Sequence, residues 1–216
     1  ELGSTPLIGF AGALFTVASY LVEGRPSREL LLTRALLRED PDAWHALLAW
    51  VARTSAAFLQ AQVEAGASAV QLFDSWVGTL SESDYRTAVL PHSTAVLSAV
   101  GALGVPRIHF GTRTRHLLPA LHEAGADAVG VDAETPLDEA IVTLGGRVPV
   151  QGNIDPQLLG APWPVVQAHV RDVVRRGAGA PGHVVNLGHS VPPDTDPGVL
   201  TRIVELVHTL GDGRST

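Results

Sequence analysis

Six short apolar runs recur along the chain, and each of them ends in small or polar residues. They lie at residues 7–12, 69–75, 108–111, 129–132, 148–153 and 183–189. Between the runs, apolar residues repeat at helical spacing, as Trp44, Leu48 and Val51 do within the segment 40–66. Strands that alternate with helices are typical of an α/β fold with parallel strands. The pattern therefore predicts such a fold.

The segments between the strands also carry helix start and stop signals. Ser27 is expected to cap the helix that follows it, and Asp196 to cap the last helix. Glycines mark the ends of the helices. The helices are predicted at residues 16–22, after Ser27, and at 40–66, 81–101, 117–124, 137–144, 165–176 and 199–210.

Six strand and helix units are two fewer than the eight that close a (β/α)8 TIM-type barrel. The chain lacks an initiating methionine, and Glu1-Leu2-Gly3 is typical of a last helical turn followed by a glycine stop. We therefore expect a single domain over residues 1–216 that represents about six of the eight units and lacks an amino-terminal segment. In such barrels the loops that follow the strands build the active site.

Composition narrows the possible chemistry. The 216 residues carry a formal net charge of −7, which argues against a nucleic-acid partner. There is no cysteine, and all 15 basic residues are arginine. Disulfides, thiolate zinc sites, Schiff-base lysines and P-loop lysines are therefore excluded within this sequence. No apolar run is long enough to span a membrane and no signal peptide is evident, so a cytoplasmic protein is expected.

The second strand ends in Phe73, Asp74 and Ser75, and then Trp76. Alternation along a strand directs Phe73 and Ser75 to one side and Asp74 to the other, so the ring and the hydroxyl could face one ligand. The alternative is a structural role, in which Asp74 pairs with an arginine and Ser75 caps the next turn. Tyr20, beyond the first strand, carries a rigid ring with a polar tip.

The last strand ends with His189, whose imidazole can donate a hydrogen bond or a positive charge to an acidic substrate. The alternative is that it only satisfies a backbone group of its loop. A metal site from His109, His116, Asp132 and His189 is disfavoured, because the first strand has no His-x-His pair and no lysine exists to bridge metals.

Two further loops have candidate roles. The segment 111–116 contains two arginines and a histidine before a predicted helix, which is typical either of an anion-binding loop or of a solvated basic turn. The segment 151–156 is expected to fix loop geometry through its side-chain amides and turn residues.

An ordered set of these motifs resembles the uroporphyrinogen decarboxylase family over essentially the whole chain. It consists of the segments GFAGA (9–13), SYLVEG (19–24), QLFDS (71–75), IHFG (108–111), GVD (130–132), QGNIDP (151–156) and NLGH (186–189). The resemblance implies a homodimeric barrel of haem biosynthesis that converts uroporphyrinogen to coproporphyrinogen by removing four carboxyl groups as carbon dioxide. It further implies that no cofactor or metal is used.

By residue match, Tyr20, Ser75 and His189 take the family's substrate-contacting positions, and Phe73 lines the cavity. The family's arginine-rich loop and catalytic aspartate have no counterpart in these residues. No catalytic residue is therefore assigned here, and the 216 residues alone are predicted to be inactive.

The chain departs from the family pattern at Leu14, Arg113, Arg115 and Ala133. Two alternatives to a decarboxylase stay open. One is a non-catalytic paralogue that binds porphyrinogen or a protein partner. The other is a corrinoid-dependent methyltransferase of the same superfamily, which the absence of cysteine disfavours.

Overall fold

The computed structural model describes residues 3–212 and divides into two compact units, Glu1–Val129 and Gly130–Thr216. The helical turn predicted at Glu1 and Leu2 lies outside the described residues. The single domain predicted over residues 1–216 stays a prediction.

The first unit alternates strands with helices. Its elements are β1 (Ile8–Gly12), α1 (Leu14–Glu23), α2 (Leu31–Glu39), α3 (Pro41–Glu64), β2 (Ala69–Asp74), a short 3-10 helix (Val77–Thr79), α4 (Glu82–Ala88), α5 (Leu90–Gly101), β3 (Arg107–Gly111) and α6 (Leu118–Glu123). The strand β4 (Ala128–Gly130) ends this unit and begins the next.

The strands of the first unit are parallel neighbours in chain order. Gly9 of β1 lies opposite Val70 of β2, and Leu72 of β2 lies opposite His109 of β3. On its other edge, β1 is covered by α3, because both amide atoms of the Gln62 side chain bond the N–H and C=O of Phe10 at 2.9 Å. The side chain thus satisfies backbone groups that a neighbouring strand would otherwise bond.

The long helix α3 is specified at both ends. The Asp40 carboxylate accepts a hydrogen bond from the N–H of Ala43 at 3.0 Å, and a proline occupies the first helical position. Gly66, with φ of 107°, ends the segment. Within α3, Trp44 is fully buried, contacts Phe15 edge to face and donates its Nε1–H to the C=O of Ala88. This packing joins α3 to α1 and α4.

The second unit continues the alternation. It contains α7 (Leu137–Thr143), β5 (Val150–Gln151), a 3-10 helix (Pro156–Gly160), α8 (Trp163–Gly177), β6 (His183–Val184) and α9 (Pro197–Asp212). Val150 of β5 lies opposite His183 of the parallel strand β6. Both strands are shorter than the predicted runs 148–153 and 183–189, although Ile154 and Leu187 form a further parallel bridge.

The shortening of β5 has a local cause. Gly152 has φ of 130°, a left-handed conformation that interrupts regular strand geometry. A Cβ at this position would overlap the carbonyl oxygen of Val131. The glycine in the segment 151–156 is therefore required by close backbone approach.

The predicted α/β fold class is confirmed, with parallel strands and alternating helices. These elements represent about six of the eight strand–helix repeats of a TIM-type barrel. Asp196 caps α9 as predicted, since it accepts a hydrogen bond from the N–H of Gly198. The Ser27 prediction needs correction. Its hydroxyl accepts from the N–H of Leu30, but α2 begins only at Leu31 because Leu30 is left-handed, with φ of 52°.

Within residues 3–212, no helix combines the length and the apolar character that spanning a membrane requires.

Candidate functional site

The end of β2 presents its side chains as alternation predicts. Phe73 and Ser75 are half-buried, whereas Asp74 between them is fully buried. Phe73 packs against Phe110 of β3, with ring centroids 4.7 Å apart. The ring and the hydroxyl therefore remain partly accessible, while the carboxylate faces the interior.

Asp74 pairs with a threonine and not with an arginine, which corrects the structural alternative considered for it. Its Oδ1 accepts hydrogen bonds from the N–H of Thr16 at 2.9 Å and from the Thr16 hydroxyl at 2.5 Å. Its Oδ2 is buried without a hydrogen-bond partner. Burial raises the pKa of Asp74 to about 6, although the bonds from Thr16 act to lower it.

Thr16 extends this network to the residue after Ser75. Its Oγ1 accepts a hydrogen bond from the N–H of Trp76 at 3.0 Å. The Trp76 ring in turn stacks on the ring of Tyr20, with centroids 4.3 Å apart and planes 28° apart. The side chain of Tyr20 thus lies beside the residue that follows Ser75, and the two predicted substrate contacts are brought to one place.

The loop after β3 closes on the same region. The Thr112 hydroxyl donates to the C=O of Ser75. A Cβ on Gly78 would overlap the carbonyl oxygens of Thr112 and Arg113, so this approach of the two loops requires a glycine. Ser75 does not cap a helix here, because the 3-10 helix that follows has no side-chain cap.

His109 and His116 each make a local contact with a backbone carbonyl. His109 is fully buried, and its Nδ1 lies 3.3 Å from the C=O of Leu121. Burial lowers the pKa of His109 to about 4, so the ring is neutral at physiological pH. The Nε2 of His116 lies 2.8 Å from the C=O of Leu80.

In the second unit, Asp132 accepts a hydrogen bond from the Thr135 hydroxyl at 2.9 Å. The Asn153 amide donates to the carbonyl oxygens of Asp132 and Thr135, so it fixes this loop as predicted for the segment 151–156. Across the described part of the chain, no three histidine, aspartate or glutamate side chains gather as metal ligands.

His189 follows β6 in the second unit and is exposed to solvent. The preceding Gly188 is buried, and a Cβ there would overlap the backbone of Ala133, so the glycine fixes the path of the chain into His189. Tyr20, Phe73 and Ser75 belong to the first unit and His189 to the second.

The departures from the family pattern occupy different surroundings. Leu14 is fully buried at the start of α1, and Ala133 is half-buried. Arg113 and Arg115 are exposed, and Arg113 has a left-handed backbone with φ of 56°. The helix after their loop is α6, which is only 6 residues long.

Sequence reasoning missed Thr16 and Trp76 as members of this site. Thr16 was predicted only as a helix start, and its partner Asp74 lies 58 residues away along the chain. A hydroxyl in the first turn of a helix that directly follows a strand was the only available signal.

The sequence of nearly the whole chain matches known proteins. The family model "Uroporphyrinogen decarboxylase (URO-D)" matches residues 1–210. Over 210 residues the chain is 60% identical to the uroporphyrinogen decarboxylase of Arthrobacter sp. (strain FB24), covering 97% of this chain and 61% of that protein. It is 61% identical to that of Salinispora tropica, covering 97% of this chain and 57% of that protein.

The chain therefore spans about three fifths of the length of these curated relatives. Among solved structures, a dihydropteroate synthetase with its product matches with a TM-score of 0.52 at 16% identity, over 96% of this chain and 71% of that one. At this identity the likeness bears on the fold alone.

Proposed function

We propose, since the chain belongs to the uroporphyrinogen decarboxylase family, that it takes part in converting uroporphyrinogen to coproporphyrinogen. The match over residues 1–210 carries this proposal, and identities of about 60% to decarboxylases support it. The reaction removes carbon dioxide from the four acetate side chains and uses no cofactor or metal. The active form is a cytoplasmic homodimer.

The candidate residues suit a substrate that has many carboxylates around an apolar core of pyrrole rings. Each uroporphyrinogen carries eight carboxylates, and a chain with a net charge of −7 must meet them with local hydrogen-bond donors. Tyr20 is 45% exposed, so its phenol is accessible while its ring is supported by Trp76. Ser75 and His189 supply a hydroxyl and an imidazole, and Phe73 supplies an apolar surface for the pyrrole rings.

The chemistry requires a positive charge to form and be stabilised. Protonation of a pyrrole ring on carbon makes the ring an electron sink, so the acetate carboxylate can leave as carbon dioxide. Protonation of the resulting carbanion equivalent gives a methyl group. Preorganised negative charge beside the pyrrole nitrogens stabilises the cation. The family's aspartate would supply that charge, and these residues contain no counterpart of it.

The test is anaerobic incubation with uroporphyrinogen of two proteins, the complete reading frame that encodes this chain and the 216-residue chain by itself. Oxidised products are separated by their number of carboxylates. We expect the reading frame to give products from eight carboxylates down to four, and the 216 residues to give none. Recovery of starting material alone from the folded reading-frame product would refute the decarboxylase assignment.

Individual variants then test the site. Tyr20→Phe and Ser75→Ala remove one hydroxyl each and are expected to lower kcat/KM, because each removes a bond to the substrate. Thr54→Val is the control, since its hydroxyl donates only to the C=O of Trp50 within its own helix. Equal activity of all three variants would contradict the assignment of Tyr20 and Ser75.

The 216 residues contain no counterpart of the family's catalytic aspartate. This favours a second function for these residues by themselves, which is porphyrinogen binding without turnover. Equilibrium dialysis against uroporphyrinogen under anaerobic conditions would detect it, with the bound ligand oxidised afterwards and quantified as porphyrin. Binding by the 216 residues without product formation would assign them this role.

A further inference from the structure

One peptide unit at the end of β2 is held at both of its ends by threonine hydroxyls. The unit joins Ser75 to Trp76. Its carbonyl oxygen accepts from the hydroxyl of Thr112, and its N–H donates to the hydroxyl of Thr16 at 3.0 Å. Because a peptide unit is planar, hydrogen bonds to both its oxygen and its N–H restrain the orientation of the whole plane. The backbone that carries Ser75 is therefore fixed from α1 and from the loop after β3.

We propose that Asp74 and Thr16 form a positioning pair that holds Tyr20 and Ser75 in the geometry needed to contact the substrate. This inference rests on the proposed function, because it requires that these two residues contact substrate. Neither Asp74 nor Thr16 touches substrate in the proposal. They act through Trp76 and through the backbone.

The hydrogen bonds show how the pair acts on Trp76. The Asp74 Oδ1 accepts both the N–H and the O–H of Thr16, at 2.9 and 2.5 Å. Since the Thr16 proton is committed to Asp74, the hydroxyl oxygen is left to accept from the N–H of Trp76. Asp74 thus sets which way the Thr16 hydroxyl points, and the hydroxyl sets the position of Trp76.

The same pair also determines the position of Tyr20. Thr16 and Tyr20 are four residues apart in α1, so their side chains lie on one face of the helix. The Asp74 carboxylate anchors the first turn of that helix to β2. Trp76, held by Thr16, then provides the surface on which the Tyr20 ring stacks at 4.3 Å. Both predicted contacts are therefore fixed by one buried network.

Packing alone does not account for a carboxylate at position 74. The side chain is fully buried, and its Oδ2 has no hydrogen-bond partner. Burial of such a group is unfavourable unless its charge is well compensated. The ionisable group nearby on α4 is Tyr85, which adds no positive charge. A charged acceptor does, however, form stronger and more directional hydrogen bonds than a neutral one. Such hydrogen bonds hold Thr16 in one orientation, which is what a positioning residue requires.

The first experiment examines the geometry directly. In the protein from the complete reading frame, NMR contacts between the ring protons of Tyr20 and Trp76 are compared in wild type, Thr16→Val and Thr16→Ser. We expect Thr16→Val to lose these contacts and Thr16→Ser, which keeps the hydroxyl, to retain them. Thr54→Val is the matched control for the substitution itself. Retained contacts in a folded Thr16→Val protein would overturn the proposal.

The second experiment separates positioning from general destabilisation. In wild type, Thr16→Val is expected to lower kcat/KM by about tenfold or more through misplacement of substrate contacts. In a Tyr20→Phe, Ser75→Ala background the same change is expected to cost less than about twofold, because residues that act through one another are not additive. Thr16→Ser is expected to restore most of the loss. Fully additive effects would overturn the inference.

The outcomes for the two proposals are distinguishable. If wild type makes product and Thr16→Val is as active, the decarboxylase assignment survives and the positioning pair is refuted. If wild type makes no product, the proposed function fails, and the ring contacts alone decide whether Thr16 positions Tyr20.

Discussion

Replacing Asp74 by asparagine is expected to remove a pH-dependent loss of stability from the folded chain. The carboxyl group is fully buried, and burial raises its pKa from 3.8 to about 6. Because the folded pKa lies above the unfolded value, the folded state binds more protons between these two pH values. Stability therefore falls as the pH rises through this interval, and asparagine, which does not titrate, lacks this dependence.

The magnitude follows from the two pKa values. At about 1.4 kcal/mol for each pH unit, the interval from 3.8 to about 6 corresponds to a total of about 3 kcal/mol. Integrating the proton linkage gives about half of this total, roughly 1.5 kcal/mol, between about pH 5 and about pH 8. The free energy of unfolding of Asp74→Asn minus that of wild type should rise by this amount across that range.

The assay is urea unfolding followed by tryptophan fluorescence at several pH values. The protein used is the 216-residue chain with Trp163→Phe. Its three remaining tryptophans, Trp44, Trp50 and Trp76, belong to the first unit, so the signal reports the unit that contains Asp74. Burial lowers the pKa of His109 to about 4, which gives a pH dependence of the opposite sign. His109 is present in both proteins, so the difference between them cancels its contribution.

If the stability difference between Asp74→Asn and wild type does not change with pH, the conclusion that burial raises the pKa of Asp74 is refuted. Asp127→Asn is the matched control. Hydrogen bonds from Arg107 lower the pKa of Asp127, so this carboxylate contributes stability above its unfolded pKa that is lost as the pH falls. Its side chain is 47% exposed, so this effect should be small, and it falls around and below the ordinary pKa of 3.8. The stability difference for Asp127→Asn should therefore stay nearly constant between about pH 5 and about pH 8.

Two further substitutions test the packing around the site by urea unfolding. Gly78→Ala places a Cβ against the carbonyl oxygen of Thr112 and should cost about 1–3 kcal/mol; wild-type stability would contradict this close approach. Trp44→Phe leaves the C=O of Ala88 without its donor in the core and should cost about 1–3 kcal/mol. Val142→Lys, at a side chain that is 78% exposed, should change stability by less than about 0.5 kcal/mol and controls for both.

The repeating elements were predictable because their signals are local. The segment 40–66 combines an aspartate cap, a proline at the helix start and a terminal glycine, and the structure places α3 at Pro41–Glu64. Strand existence followed from the apolar runs, but the bounds of β5 and β6 did not. Gly152 changes the backbone direction within the run 148–153, and hydrophobicity carries no information about φ.

The contacts around Ser75 were not predictable from local sequence. Alternation correctly separated Asp74 from Phe73 and Ser75, but the structural alternative for Asp74 named an arginine as its partner. The actual partner, Thr16, is 58 residues distant. The pairing depends on the register of β1 against β2, where Gly12 lies opposite Phe73. Only that register places the start of α1 beside the end of β2. The assignments of Tyr20, Phe73, Ser75 and His189 to substrate stay predictions.

The two expectations for Asp74 are most informative when both are measured for the same substitution, stability in the 216-residue chain and kcat/KM in the protein from the complete reading frame. Asparagine keeps an oxygen acceptor for Thr16 but offers a neutral one, whose hydrogen bonds are weaker than those of a carboxylate. The linkage argument predicts that Asp74→Asn gains stability relative to wild type as the pH rises, and the positioning argument predicts that it loses kcat/KM. A group retained only for packing would not produce this opposition, since removing it would leave activity in step with stability. Opposite changes from this one substitution would therefore identify a charge whose cost in stability is offset by its effect on turnover.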